Sequence, residues 1–246
     1  MRHNSNIANH ENSDLMDKKK AITYIKMVAD KGNDLAMNSY GTMLEHGDGV
    51  PVNKPMAIKY YKMAIEKGNV NAMVNYANLL LKGKGIRTNK AEAIRYYQMA
   101  IAKGNALAML NYATLLEQGK IVAHNMPEAI RYYKMSADKG NSLAMYNYAT
   151  ILETGQGIPV NKPEAIRYYK MSAEKGNSQA MLKYASILEK GDGVEIDKKE
   201  ACRYYKLAAD QGNATAMYNY AYLIYEGADG IEPNKEEAIR YYKMAA

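Results

Sequence analysis

The sequence predicts an all-α fold built from antiparallel helix pairs that repeat every 36 residues. Two observations lead to this prediction. A Gly-Asn dipeptide recurs at that fixed spacing, and helical periodicity runs on both sides of each copy. A domain with one central core has no reason to keep such a register, whereas stacked units that bury a face against their neighbours do. The glycines of the dipeptide are Gly32, Gly68, Gly104, Gly140, Gly176 and Gly212.

The second helix of each unit, which ends at the Gly-Asn, has a marked start. In the fourth full copy it runs from about Lys162 to Lys175, with Asn161 before it and Glu164 in its first turn. An Asn or Asp followed three residues later by Glu is a capping-box pattern, and each cap is worth about 1 kcal/mol. The glycine then supplies a left-handed helix end and the Asn caps the next helix, which predicts a tight antiparallel pair. The same pattern occurs at Asn89/Glu92, Asn125/Glu128, Asp197/Glu200 and Asn234/Glu237.

The first helix of each unit, for example Ser142 to Glu153, ends at a Gly-x-Gly loop in most copies. Two glycines around one residue predict a turn that uses positive φ twice. Ile121 replaces the second glycine in one copy, and the last copy carries one extra residue before Gly230. We expect both differences to change the loops locally.

These repeated helices, caps and loops together resemble the Sel-one-like repeat, a relative of the tetratricopeptide repeat. The resemblance covers residues 17–246 and rests on the Gly-x-Gly-Val/Ile loop, the "Asn-Lys-x-Glu-Ala-Ile-Arg-Tyr-Tyr-Lys-Met-Ala-Ala-x-x-Gly" helix and an alanine in each first helix. It implies a right-handed α-solenoid superhelix of about six repeats that acts as a protein-protein interaction scaffold or adaptor, without enzymatic activity. The alanines are Ala36, Ala72, Ala108, Ala144, Ala180 and Ala216.

Composition excludes several other classes. Although 48% of the residues are hydrophobic, no run approaches the roughly 18 apolar residues of a membrane helix, and the N-terminus lacks the apolar stretch of a secretory signal. The single cysteine cannot form an internal disulfide, so we expect an intracellular, cytoplasmic location. The four histidines have no metal-ligand spacing, and Cys202 occupies an isoleucine row, so we expect no catalytic residue, no cofactor and no metal.

Most of the 23 tyrosines recur at three fixed positions of the repeat, as expected for residues that pack in the core. Four do not: Tyr146, Tyr218, Tyr222 and Tyr225. All four lie on the arc of the first helix opposite its core side, and the last three are spaced i, i+4, i+7. In the related tetratricopeptide superhelix this arc lines the concave face. We therefore predict these tyrosines as anchors for a partner polypeptide; packing against a further repeat, a subunit or the terminal helix is the alternative.

Two polar rows border the predicted groove. An amide both donates and accepts hydrogen bonds, so the asparagine row could hold a peptide backbone; bonds to neighbouring helices are the alternative. The glutamate row adds negative charge beside apolar residues and suggests a partner segment that is apolar with some basic residues. The asparagine row is Asn75, Asn111, Asn147 and Asn219, and the glutamate row is Glu45, Glu117, Glu153 and Glu189.

The net charge of +7 lies chiefly on the second helices. A basic stripe with tyrosines between its charges raises the alternative of nucleic-acid binding. Several charges have local acidic partners, however, such as Glu128 before Arg131 and Glu164 before Arg167, so a solvated convex face is favoured and a nucleic-acid partner is not expected. The arginines are Arg95, Arg131, Arg167, Arg203 and Arg240.

The two ends of the chain also lead to expectations. The polar residues 1–16 are predicted to form a disordered tail before the repeats of residues 17–246. The sequence stops inside a second helix at Ala246, so we expect the solenoid to be truncated there. Self-association through uncapped ends is the alternative.

Overall fold

The computed structural model describes residues 3–83, 85–227 and 230–246, with side chains from residue 16 onwards. Within these residues it contains thirteen α-helices and no β-strand, which confirms the predicted all-α solenoid of repeated helix pairs. The helices are α1 His3–Asp30, α2 Asp34–His46, α3 Lys54–Glu66, α4 Val70–Lys82, α5 Lys90–Ala102, α6 Ala106–Gln118, α7 Met126–Asp138, α8 Ser142–Thr154, α9 Lys162–Glu174, α10 Ser178–Lys190, α11 Lys198–Asp210, α12 Ala214–Glu226 and α13 Lys235–Ala245.

The chain divides into two compact units, residues 1–108 and residues 109–246. In the first unit, α1 packs on α2, α2 on α3, α3 on α4 and α4 on α5. In the second unit, each helix from α7 to α12 packs on the helix that follows it. Contacts in both units therefore run mainly between helices adjacent in sequence, as expected for stacked repeats.

Helix starts follow the predicted caps, with one difference in detail. The side chain of Asn161 accepts a hydrogen bond from the Glu164 backbone N–H, and its amide nitrogen donates to the Glu164 carboxylate at 3.1 Å. The backbone N–H of Asn161 donates instead to the Leu152 carbonyl at 2.8 Å. The glutamate thus binds the cap side chain rather than the cap backbone, because the backbone N–H already ties the second helix to the first.

The cap residue before α11 is Asp197, where the other second helices from α3 onwards have an asparagine, and this difference changes the local hydrogen bonds. Asp197 accepts from the Glu200 N–H at 2.8 Å, but a carboxylate has no proton to donate to Glu200. The Glu200 carboxylate accepts two hydrogen bonds from Arg203 instead, at 2.6 and 2.8 Å. This bidentate bond to Arg203 lowers the pKa of Glu200.

The described glycines of the loops adopt the predicted positive φ. Gly155 ends α8 at φ 73°, and Gly157 follows at φ 78°. Among the described residues no other residue type has a positive φ, so Ile121 cannot reproduce the conformation of the second glycine. The loop between α6 and α7 therefore turns differently at this point.

The core consists of small residues in contact with large ones. One alanine position is almost completely buried in the second helices from α3 onwards, which lets the paired helices approach closely: Ala57, Ala93, Ala129, Ala165, Ala201 and Ala238. Tyrosine rings fill the space beside them in edge-to-face pairs, such as Tyr148 with Tyr168 at 5.0 Å between ring centroids. Such pairs favour packing beyond the area that they bury.

The N-terminal segment differs from the sequence-based expectation. The backbone of residues 3–16 belongs to α1, whereas the sequence predicts a disordered tail over residues 1–16. Residues 1 and 2 lie outside the described residues. Disorder of this segment in solution stays a prediction.

Candidate partner-binding face

The tyrosines Tyr218, Tyr222 and Tyr225, here called the tyrosine stripe, lie along one side of α12. Their exposed fractions are 56%, 49% and 39%, in contrast to the buried rings of the repeating tyrosine rows. Spacing of i, i+4, i+7 brings three residues to one helix face. The stripe therefore presents an aromatic surface on α12, the first helix of the last matched repeat.

Tyr146, the fourth predicted anchor, has a different environment. It is half-buried, and its ring lies 5.7 Å from the Tyr169 ring, centroid to centroid. Its backbone carbonyl accepts a hydrogen bond from the Thr150 hydroxyl. Tyr146 thus packs partly against α9, and the structure does not bring it into the tyrosine stripe.

The glutamate row binds tyrosine hydroxyls of the second helix in the same repeat. Tyr133 donates to Glu117 at 2.6 Å, and Tyr205 donates to Glu189 at 2.7 Å. Burial raises the pKa of both tyrosines, and the facing carboxylates raise it further. The same bond joins Tyr61 to Glu45 and Tyr169 to Glu153, at 2.9 Å in each case.

These tyrosine-glutamate bonds were missed at the level of the sequence, although a signal for them exists. The two residues of each pair are separated by 16 positions in every case. In the second repeat Leu81 replaces the glutamate, and the Tyr97 hydroxyl donates instead to Asn78, one helical turn earlier. Compensating changes of this kind indicate contact between the two rows.

The asparagine row bonds to neighbouring helices of the chain. The amide of Asn75 donates to Asn38 on α2 at 2.9 Å. Asn147 and Asn219 hydrogen-bond the hydroxyls of Tyr133 and Tyr205, which acts to lower the pKa of these tyrosines against the effect of burial. Asn111 is half-buried in the same register. These bonds orient the amides at the border of the face.

Lys183 stands in the register of the asparagine row and has a distinct role. Its ammonium lies 3.0 Å from the Glu153 carboxylate and 5.9 Å from the centroid of the Tyr169 ring. Lys183 of the fifth repeat therefore places a cation beside the carboxylate and ring of the fourth repeat, in the register where most other repeats have an amide. This lysine offsets the negative charge of Glu153.

The arginines of the second helices lie over tyrosine rings and near acidic side chains. Arg131 and Arg167 lie 4.4 and 4.5 Å from the centroids of the tyrosine rings that follow them in sequence. Each is also 3.6 Å from the glutamate three residues before it. The positive charge is thus partly compensated within its own helix, as the sequence suggests.

Grooves recur between successive repeats. One of about 550 Å³ is lined by Cys202, Lys206, Tyr220 and Ile224, among others, and one of about 610 Å³ is lined by Ile58 and the other residues at the same repeat positions. Burial raises the pKa of the Cys202 thiol to about 11. The thiol is therefore protonated at neutral pH, which disfavours a nucleophilic role.

Two further findings concern metal binding and membrane spanning. Among residues with described side chains, no group of three or more His, Cys, Asp or Glu is arranged to hold a metal ion. None of the helices in the described part of the chain combines the length and apolar character needed to cross a bilayer.

The stacked helix pairs and their repeated caps define an α-solenoid repeat protein. The chain belongs to the Sel1 repeat family, whose model matches residues 34–69, 70–105, 106–141, 142–177, 178–213 and 214–246. Each matched repeat begins with the first helix of a unit, directly after the Gly-Asn. Sel1 repeat proteins generally mediate protein-protein interactions, and their fold is typically non-catalytic.

Solved structures share this fold. A Sel1 repeat protein from Oxalobacter formigenes is 27% identical with a TM-score of 0.81, and the match covers 95% of this chain and 98% of that one. A protective antigen of uropathogenic Escherichia coli with an SLR fold is 28% identical with a TM-score of 0.72; the match covers 92% of this chain but only 48% of the antigen. The immunity protein Pa5087 of Pseudomonas aeruginosa, at 19% identity, TM-score 0.56 and coverage of 86% and 80%, shows likeness of fold alone. No curated protein sequence matches the chain.

Proposed function

We propose that this protein is a scaffold that binds a segment of a partner polypeptide, with the tyrosine stripe as its main anchor. The observation that carries the proposal is the exposure of Tyr218, Tyr222 and Tyr225 at 56%, 49% and 39%. Aromatic side chains lose little conformational freedom on binding and dominate the energetics of many interfaces. The general role of Sel1 repeats in protein-protein interaction supports the same function.

The asparagine and glutamate rows indicate which residue types a partner segment should carry. Glu117 and Glu189 hold their carboxylates at the border of the face through tyrosine hydroxyls, and a carboxylate can accept further hydrogen bonds. Lys183 offsets the charge of Glu153 at 3.0 Å. A partner segment that is apolar with some basic residues suits this pattern, with its basic residues near Glu117 and Glu189. The asparagine amides, oriented by their bonds inside the chain, are the proposed contacts to its backbone.

Nucleic-acid binding through the arginine rows has less support. Arg131, Arg167 and Arg203 each lie within 4.0 Å of a carboxylate, so phosphate would have to compete with these pairs. The two functions differ in their response to salt. Binding to phosphates weakens steeply with salt concentration, whereas binding to an aromatic surface changes little.

The test is partner capture from native lysate, with the wild-type chain compared to Tyr218→Ala/Tyr222→Ala/Tyr225→Ala. A matched control is Tyr24→Ala, which removes a tyrosine that is 64% exposed on α1, outside the stripe. Circular dichroism establishes that each variant is folded. We expect partners that the wild type and Tyr24→Ala capture and the triple variant loses; equal capture by all three would contradict the proposal.

Two further expectations belong to this proposal. The single cysteine suits a reducing, intracellular compartment. Self-association through the ends of the solenoid stays an alternative use of the exposed apolar residues, and a size-exclusion mass of a dimer would favour it.

A further inference from the structure

The last repeat lacks the hydroxyl and the carboxylate that lie at the tyrosine hydroxyl of the fourth repeat. In the fourth repeat, the Tyr169 hydroxyl donates to the Glu153 carboxylate at 2.9 Å and lies 3.1 Å from the Thr150 hydroxyl. In the last repeat Tyr222 occupies the threonine position and Tyr225 the glutamate position, and Tyr242 is the counterpart of Tyr169. An aromatic surface therefore replaces a hydroxyl and a carboxylate.

Tyr242 and the tyrosine stripe together form what we call the four-tyrosine cluster. The rings of Tyr218 and Tyr242 lie 5.4 Å apart at 61°, in an edge-to-face arrangement. Burial raises the pKa of Tyr242, and Tyr218, Glu226, Tyr222 and Tyr225 add to this electrostatically, as expected for groups close to its hydroxyl. Three of the four rings are more than a third exposed.

The fourth repeat contains the same aromatic pair with a cation beside it. Tyr146 and Tyr169, the counterparts of Tyr218 and Tyr242, lie 5.7 Å apart at 55°. The ammonium of Lys183, on the following helix, lies 5.9 Å from the Tyr169 ring. The chain thus gives its own example of what occupies this aromatic pair.

A second cation contacts the cluster itself. The ammonium of Lys235 lies 5.4 Å from the centroid of the Tyr225 ring. The face of an aromatic ring carries negative charge density and attracts cations at such distances. A planar guanidinium stacks on rings better than an ammonium does, and Arg131 and Arg203 in this chain lie 4.4 Å from tyrosine centroids.

We infer that the four-tyrosine cluster binds an arginine side chain of the partner polypeptide. This inference rests on the proposed function, since it names the chemistry by which the tyrosine stripe recognises its partner. It goes further in assigning a role to Tyr242 and in requiring a positive charge where an apolar anchor site would require none.

The test is an NMR titration of the intact chain with N-acetyl-L-arginine methylamide and with its neutral, nearly isosteric citrulline analogue. Stacking on the tyrosine rings should shift the δ-methylene signal of arginine upfield. We expect arginine to bind at least about threefold more tightly than citrulline, the ratio that an exposed cation–π contact provides. Equal affinity for the two probes, or binding of neither, would overturn the inference.

Two variants locate the effect. Tyr222→Ser/Tyr225→Gln brings the cluster close to the sequence of other repeats without adding charge, and it should abolish the preference for arginine, while the control Tyr24→Ser keeps it. Lys235→Gln removes the chain's own cation beside Tyr225 and should tighten arginine binding about twofold. A preference for arginine that survives in the double variant, or an affinity that Lys235→Gln leaves unchanged, contradicts the inference.

The outcome separates this inference from the proposed function. If the triple alanine variant loses its partners but arginine and citrulline bind equally, the scaffold function stands and cation recognition is wrong. If arginine is preferred but no partner depends on the stripe, the cluster recognises a cation and the proposed function fails.

Discussion

The hydroxyl of Tyr61 donates a hydrogen bond to the buried carboxylate of Glu45, at 2.9 Å. Glu45 is only 8% exposed, and a carboxylate at such a position requires polar partners to offset the loss of water. The same bond recurs with the same separation of 16 residues in three further repeats. It therefore joins the two helices of a repeat at a defined register.

Removal of one such hydroxyl should destabilise the fold. Tyr169→Phe keeps the ring but leaves the Glu153 carboxylate without its tyrosine donor and removes the contact to the Thr150 hydroxyl, so we expect the free energy of unfolding to fall by about 1–2 kcal/mol. Urea denaturation measures the change. Tyr222→Phe, at a ring that is 49% exposed, is the control and should change stability by less than about 0.5 kcal/mol. Equal losses in both variants would show that the internal hydrogen bonds are unimportant.

The two kinds of glycine should respond differently to alanine. Gly176 has φ 88° with open space around an added Cβ, so Gly176→Ala should cost only the left-handed strain, about 1 kcal/mol. At Gly157, φ 78°, an added Cβ would lie 2.9 Å from Cγ of Met126. Gly157→Ala should therefore cost at least about 1 kcal/mol more, because a packed neighbour must also move. Thermal and urea unfolding compare the two; a larger loss at Gly176 would contradict the packing of the Gly-x-Gly loop.

Alkaline pH should unfold the protein in a step coupled to tyrosine ionisation. Burial raises the pKa of Tyr61, Tyr133, Tyr169 and Tyr205 above the ordinary value, and the facing carboxylates add to it. The folded state therefore holds these protons more tightly than the unfolded state, and their stabilisation is complete below about pH 10 and is lost as the pH rises further. Tyrosinate absorbance and circular dichroism should change together in this range. Full ionisation of all tyrosines without loss of helix would contradict the prediction.

Lys183 should contribute little to stability, and in a salt-dependent way. Its pair with Glu153 spans 3.0 Å, but the two side chains are 40% and 25% exposed. We expect Lys183→Asn, which restores the asparagine of other repeats, to change the free energy of unfolding by less than about 1 kcal/mol at low salt, and by less still at high salt. A loss that stays the same in high salt would indicate packing of the lysine stem instead.

Much of the fold could be predicted from the sequence because its signals are local and repeated. Helix α9 was expected from about Lys162 to Lys175 and runs from Lys162 to Glu174; α8 was expected from Ser142 to Glu153 and runs to Thr154. The caps at Asn161 and Asn141 and the left-handed glycines lie where the pattern places them, since each depends on residues only three or four positions apart.

The candidate site was less predictable because its contacts join different helices. Helical periodicity places Glu117 and Asn147 at the border of the predicted groove, but it does not show that the Tyr133 hydroxyl lies between them and bonds to both. Likewise, the unusual position of Tyr146 suggested an anchor, whereas its ring packs partly against Tyr169. Whether these residues contact a partner stays a prediction.

The bonds within and between repeats recur at set sequence distances: 16 residues from Glu153 to Tyr169 within the fourth repeat, and 30 residues from Asp138 of the third repeat to Tyr168 of the fourth. If a recombination event removed or duplicated one full repeat within either unit, each donor at the new junction would again face an acceptor of the same type. Such an event would need no compensating substitutions, except where a repeat departs from the pattern, as at Lys183 or Tyr225. For a protein of this design, a change in the number of repeats is a single genetic step, and the length of the surface can evolve separately from its chemistry.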